Sequence, residues 1–73
     1  MQEVCIYIKE EFIKLDSALK LGNLVATGGH AKFVIQGGEV KVNGEVCLMR
    51  GKKLKIGDTA EFGGVKLIVK NEG

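Results

Sequence analysis

A chain of 73 residues can close around one small hydrophobic core and no more. Folding at this size removes only about 60% of the surface that the unfolded chain exposes. Every element must share that core, so the expectation is a single domain over residues 1–73. Apolar residues make up 45% of the chain and are spread along it, as in globular domains. No run approaches the ~20 apolar residues of a membrane span, and the first ten residues lack a signal-peptide pattern. A secreted chain this short would carry several cysteine pairs, whereas Cys5 and Cys47 stand alone and far apart. The expectation is a reduced, cytoplasmic protein with no membrane partner.

The inventory for catalysis is thin: one histidine (His30), one serine (Ser17), one tyrosine (Tyr7) and no tryptophan. A nucleophile or an acid–base pair needs an orienting third group, and these residues do not supply one. Binding without catalysis is the expectation, with no cofactor and no small-molecule substrate. Cys5 and Cys47 lack metal-ligand spacing and further cysteines to complete a site, so no zinc or other metal is expected. Both read as small core residues. The chain ends Asn71-Glu72-Gly73 rather than in the Gly-Gly of a sulfur carrier.

Charge is distributed unevenly. Between Phe12 and Gly57 eight basic residues (Lys14, Lys20, Lys32, Lys41, Arg50, Lys52, Lys53, Lys55) face three acids (Asp16, Glu39, Glu45), an excess of five positive charges. The two flanks together hold three lysines against six acids, an excess of three negative charges. A basic segment between acidic flanks points to one positive face and to phosphate as its partner. Charges scattered over the surface would give the same count.

Val4, Ile6 and Ile8 alternate with Cys5 and Tyr7, which predicts a strand over Glu3–Lys9 covered on both faces. Leu15, Ala18, Leu19 and Gly22 fall at helical spacing, with Asp16 and Lys20 one turn apart in the acid-first order. Gly22-Asn23 reads as the left-handed end of that helix. Thr27 is an N-cap residue for a second helix over Gly28–Gln36, with Ala31, Val34 and Ile35 buried and Gly37-Gly38 ending it. Two glycines in a first helical turn cost up to about 1 kcal/mol each relative to alanine. Their bare N–H groups can approach an anion, or their lack of side chain can allow close packing on the first helix. His30 is either a phosphate donor or a solvated surface residue.

Val40–Leu48 reads as a hairpin. A three-residue loop, Val42-Asn43-Gly44, pairs Val40 with Val46 and Lys41 with Glu45, which separates apolar from charged faces better than a two-residue turn. Arg50-Gly51-Lys52-Lys53 reads as a basic, flexible connection. Thr59–Phe62 and Val65–Lys70 form a closing hairpin across Gly63-Gly64. The fold class is α+β, two short helices packed on one side of a small, mostly antiparallel sheet. Tyr7, Phe12 and Phe62 lie in apolar runs and read as core, with Phe33 undecided. Scarce free aromatics favour recognition of backbone shape over reading of unpaired bases.

In order along the chain stand Leu15-Asp16, Thr27-Gly28-Gly29, Ala31-Lys32, Ile35-Gln36 with Gly38, Val40-Lys41-Val42-Asn43-Gly44, and Leu54-Lys55-Ile56-Gly57-Asp58. This series resembles the S-four RNA-binding domain, named after a ribosomal small-subunit protein, over residues of about 12–62. Thr27-Gly28-Gly29-His30-Ala31-Lys32 is similar to the small stand-alone bacterial members of that family, the YbcJ-like type. The resemblance implies RNA binding by the helix pair and adjoining hairpin loop, the α-L motif, with structured ribosomal or transfer RNA as partner. It implies contacts from Lys14 before the first helix, and from Thr27, Gly28, Gly29, Lys32 and Gln36 on the second. Lys41 and Asn43 follow in the hairpin, then Arg50, Lys52 and Lys53 in the connection. Association with the ribosome or another ribonucleoprotein would follow. Larger members carry one or two arginines where this chain has Gly28-Gly29, so the implied surface is less charged there. The alternative is a protein-interaction module on the same fold, which a large exposed apolar patch would favour and a continuous basic face would oppose.

Overall fold

Glycine-bearing breaks divide the chain into short elements, which the computed structural model describes for residues 2–73. They run β1 (Gln2–Ile8), β2 (Phe12–Lys14), α1 (Leu15–Leu21), α2 (Gly28–Gln36), β3 (Lys41–Val42), β4 (Glu45–Val46), β5 (Lys53–Lys55), β6 (Thr59–Phe62) and β7 (Val65–Asn71). Five strands make one sheet in the order β1-β7-β6-β3-β4, and β2 with β5 forms a separate two-stranded ribbon. Only β1 and β7 pair in parallel; the other ladders are antiparallel. The fold is α+β, with two short helices and a mostly antiparallel sheet, as the sequence implies. No helix among the described residues is long and apolar enough to cross a membrane.

The core lies between the helices and one face of the sheet. Leu15, Ala18 and Leu19 of α1 and Ala31, Val34 and Ile35 of α2 meet Ile6, Ile8, Val42, Ala60, Leu67 and Val69 of the strands. The stripes read from helical spacing are the buried ones. Strand β1 departs from expectation: Ile6 and Ile8 are buried, while Cys5 and Tyr7 on the alternate face are exposed. The helices form one layer only, so the far side of the sheet has no cover, and neither Cys5 nor Tyr7 is core. Cys47 is half-buried against the core. Phe12 is also exposed rather than core, and Phe62 is half-buried against the core.

Helix ends follow local chemistry. The Thr27 side chain accepts a hydrogen bond from the His30 amide at 3.0 Å, and α2 runs over Gly28–Gln36 as expected. At the end of α1 the left-handed residue is Asn23 (φ 60°), whereas Gly22 has φ −83°. Glycine at 22 serves close approach instead: a Cβ there would stand 2.5 Å from Cδ1 of the fully buried Leu67. Gly22→Ala is therefore expected to destabilise the fold by about 1–3 kcal/mol through overpacking. A lowered thermal midpoint checks this; an unchanged midpoint would show that Leu67 can yield.

The β3–β4 register also differs from expectation. Lys41 pairs with Val46 and Val42 with Glu45, across a two-residue Asn43-Gly44 turn with φ of 51° and 87°. Positive φ at both positions is the hairpin turn whose twist matches its strands. The reason lies on the other edge of β3, where Lys41 faces Glu61 and Val42 faces Ala60 of β6. Lys41 thus stands opposite Glu61 of β6 on one side and Val46 of β4 on the other. The closing hairpin turns at Gly63-Gly64 as read, and β7 extends one residue further, to Asn71.

Arg50–Lys53 is held rather than flexible. The Leu15 amide donates to the Lys52 carbonyl at 2.8 Å and the Asp16 amide to the Arg50 carbonyl at 3.1 Å. These bonds supply acceptors for the first amides of α1, which no intrahelical partner satisfies. Lys53 itself begins β5.

Candidate nucleic-acid interface

Alternation on the β2–β5 ribbon sorts its side chains into two sets. Ile13 and Leu54 pair with each other and face the core, Leu54 fully buried. The outer face then carries Phe12 opposite Lys55 and Lys14 opposite Lys53, all four exposed. Three lysines and one aromatic ring share a surface with no acid on it. Like charges directly opposite on paired strands destabilise the pair. Among the described residues no carboxylate is ion-paired to any of these lysines; the ion pair present, Lys9 with Glu72 at 3.9 Å, lies at the flanks.

Arg50 and Lys52 join this surface through the backbone bonds that tie their carbonyls to the start of α1. Lys14, Lys53, Arg50 and Lys52 therefore surround one helix end, and the charge excess of the sequence is partly a spatial cluster. Helix α1 is seven residues long, which spans about 10 Å. At its other end Lys20 reaches the start of α2, its Nζ 3.9 Å from where a Cβ of Gly28 would stand.

Gly28 and Gly29 are not packing glycines. A Cβ at either position would meet nothing closer than 3.9 Å, Lys20 Nζ for one and Thr27 Oγ1 for the other. Of the two alternatives that the sequence left open, close packing on α1 is excluded. Lys32 and Gln36 are exposed and follow Gly28 at four-residue steps, so these three share one stripe of α2. His30 is exposed and meets Phe62 edge-on, with ring centroids 6.3 Å apart, within the range of a favourable aromatic contact. Phe33 projects from α2 at 73% exposure.

Two expected residues stand elsewhere. Lys41 lies on the open face of the main sheet in a cross-strand row of Glu3, Lys66, Glu61, Lys41 and Val46. Signs alternate along that row, from Glu3 through Lys66 and Glu61 to Lys41. A shallow concavity of about 160 Å³ beside it is lined by Glu39, Lys41, Glu61, Phe62, Gly63 and Gly64. Asn43 is engaged within the fold: Nδ2 donates to Asp58 at 3.2 Å and Oδ1 accepts from the Thr59 amide at 3.0 Å. Its amide ties the β3–β4 turn to the turn before β6.

The structure thus sets Lys20, Lys55 and Phe12 beside the expected residues, and places Lys41 apart from them on the main sheet. Lys55 and Phe12 carried a signal, a period-two alternation through Ile13 and Leu54, but three residues per strand make it faint. In the sequence Lys20 stands out only as one of the eight central basic residues and as the helical partner of Asp16.

A family model for the S4 domain matches residues 6–70. The probable ribosome maturation protein RlbA of Bacillus subtilis (strain 168) is 42% identical over 59 residues, which cover 81% of this chain and 83% of that protein. The matched span takes in the ribbon, both helices and the hairpin. The chain belongs to the S4 domain family, a family associated with RNA binding.

Proposed function

We propose that this protein binds structured RNA without catalysing a reaction on it, and that its RNA is ribosomal RNA in a maturing ribosomal particle in the cytoplasm. The carrying observation is the surface of Lys14, Lys53 and Lys55, with Arg50 and Lys52 beside it and no paired acid among the described residues. Lysine and arginine neutralise phosphates and release counterions, which supplies affinity without sequence information. Lys20, Gly28, Gly29, Lys32 and Gln36 extend the surface along the helix pair, with Thr27 as cap. Lys41 and Asn43 support the fold beside it rather than touching RNA. The name of the Bacillus subtilis relative, a ribosome maturation protein, favours ribosomal over transfer RNA as the partner. The chain acts as a single domain with its family core at about 12–62.

A second reading has an observation of its own. Val46, Leu48 and Met49 are each more than half exposed, and Val46 and Leu48 flank Gly38. This apolar strip suits a protein surface. A salt titration on ribosomal RNA fragments separates the readings. Four to six phosphate contacts predict a log–log slope of roughly −3 to −5. A flat response, or failure to retain any ribosomal RNA, would sink the RNA reading in favour of the protein-docking one.

A further inference from the structure

The phosphate reading uses the lysines of the β2–β5 ribbon and leaves its aromatic ring without a role. Phe12 is 38% exposed and contributes nothing to the buried core, which Ile13 and Leu54 of the same ribbon reach instead. It stands opposite Lys55, two positions before Lys14, and the Lys53 Nζ lies 4.8 Å from its ring centroid. One face of the ring is covered by an ammonium that has no carboxylate partner among the described residues. An ammonium binds a phosphate oxygen more strongly than a neutral partner. In the presence of RNA, Lys53 has a better ligand than the ring, and the ring face is released.

We infer that Phe12 is a stacking platform for one unpaired RNA base, with Lys14, Lys53 and Lys55 neutralising the phosphates on either side of that nucleotide. The inference rests on the RNA-binding reading above and narrows it, from structured RNA in general to structured RNA carrying an unpaired residue. Every base offers a π face, so the platform tolerates any base identity while requiring that the base be free. Unpaired bases splayed from loops and bulges are what aromatic side chains take up in RNA recognition. A fully paired helix meets the three lysines with its phosphates but offers the ring nothing. The expectation of shape recognition came from counting Tyr7, Phe12 and Phe62 as core, and the exposure of Tyr7 and Phe12 weakens that ground.

The test uses two RNA duplexes of equal length, one fully paired and one with a single 2-aminopurine bulge, titrated with the full chain at several salt concentrations. Wild type is expected to prefer the bulged duplex by roughly 5- to 100-fold and to change the 2-aminopurine emission on binding. Phe12→Leu, which keeps an apolar strand residue, is expected to lose both the preference and the emission change. Any loss on the paired duplex should be smaller than the loss on the bulged one, because the paired duplex offers the ring no free base. Phe12→Tyr, which keeps the ring, is expected to retain both, and circular dichroism verifies that each variant is folded. Equal wild-type affinity for the two duplexes, or a Phe12→Leu variant that keeps the preference and emission change, overturns the stacking inference. In that case salt-dependent binding of both duplexes leaves the RNA reading standing. Binding to neither duplex, or binding insensitive to salt, overturns that reading and the inference with it.

Discussion

Replacing Lys14, Arg50, Lys52 and Lys53 together with alanine is expected to weaken binding of a structured ribosomal RNA by roughly 100-fold or more at low salt. The same variant should flatten the log–log salt slope by about three to four, close to one phosphate contact per side chain removed. The ground is geometric. Lys14 and Lys53 are a cross-strand pair, and the carbonyls of Arg50 and Lys52 hold the start of α1, so all four surround one helix end. All four side chains are exposed, so the fold should survive, and removing like charges from the ribbon relieves repulsion within it. A control with three charges removed instead of four replaces Lys41, Lys66 and Lys70 on or beside the open face of the main sheet. Lys41 and Lys66 sit in a row of alternating charge with Glu61, so this control is expected to change affinity little. Undiminished RNA binding by a folded quadruple variant would remove the proposed surface, and an equal loss in the control would reduce it to an effect of net charge.

Leu54→Ala is expected to have the largest effect on stability. Leu54 is fully buried, and with the half-buried Ile13 it joins the ribbon to the helices and main sheet. Truncating a buried leucine costs about 2–5 kcal/mol. A domain this small holds roughly 4–11 kcal/mol in total, at the usual value per residue. The variant therefore sits close to unfolding, and urea denaturation should show a large fall in midpoint. A two-stranded ribbon is not stable by itself. Loss of Leu54 should accordingly degrade RNA binding as well, although the residue touches no ligand. A variant with a wild-type urea midpoint would mean that the ribbon docks without it.

What the sequence reveals is what local chemistry decides. The limits of α2 follow from Thr27 and Gly37-Gly38, each acting within one turn of the helix, and they are correct to the residue. The Gly63-Gly64 turn is equally local. The β3–β4 register is not, because β6 meets Lys41 with Glu61 and fixes Asn43 through Asp58 and Thr59, more than a dozen positions away. Strands β2 and β5 lie some forty positions apart and have three residues each, so neither carries an alternation long enough to recognise alone. With the ribbon unseen, Lys55 and Phe12 could not be joined to Lys14 and Lys53. Exposure of Cys5 and Tyr7 was hidden for a different reason: an apolar residue on a strand does not reveal whether a second layer covers it.

The parallel pairing of β1 with β7 sets a timetable for the molecule's own birth. Gln2 pairs with Val65 and Ile8 with Asn71, so the first strand to be synthesised finds its partner only when the last has been made. Bringing these strands together closes a loop of nearly the entire chain, an entropic demand that precedes its contacts. Ile6 and Ile8 must remain uncovered by β7 until translation has passed residue 71. The helices and the later hairpins can form on the emerging chain, but the sheet that backs them closes after synthesis of its final strand. Any interruption before β7 leaves a chain with an unpaired hydrophobic strand, a substrate for proteolysis rather than a smaller working protein.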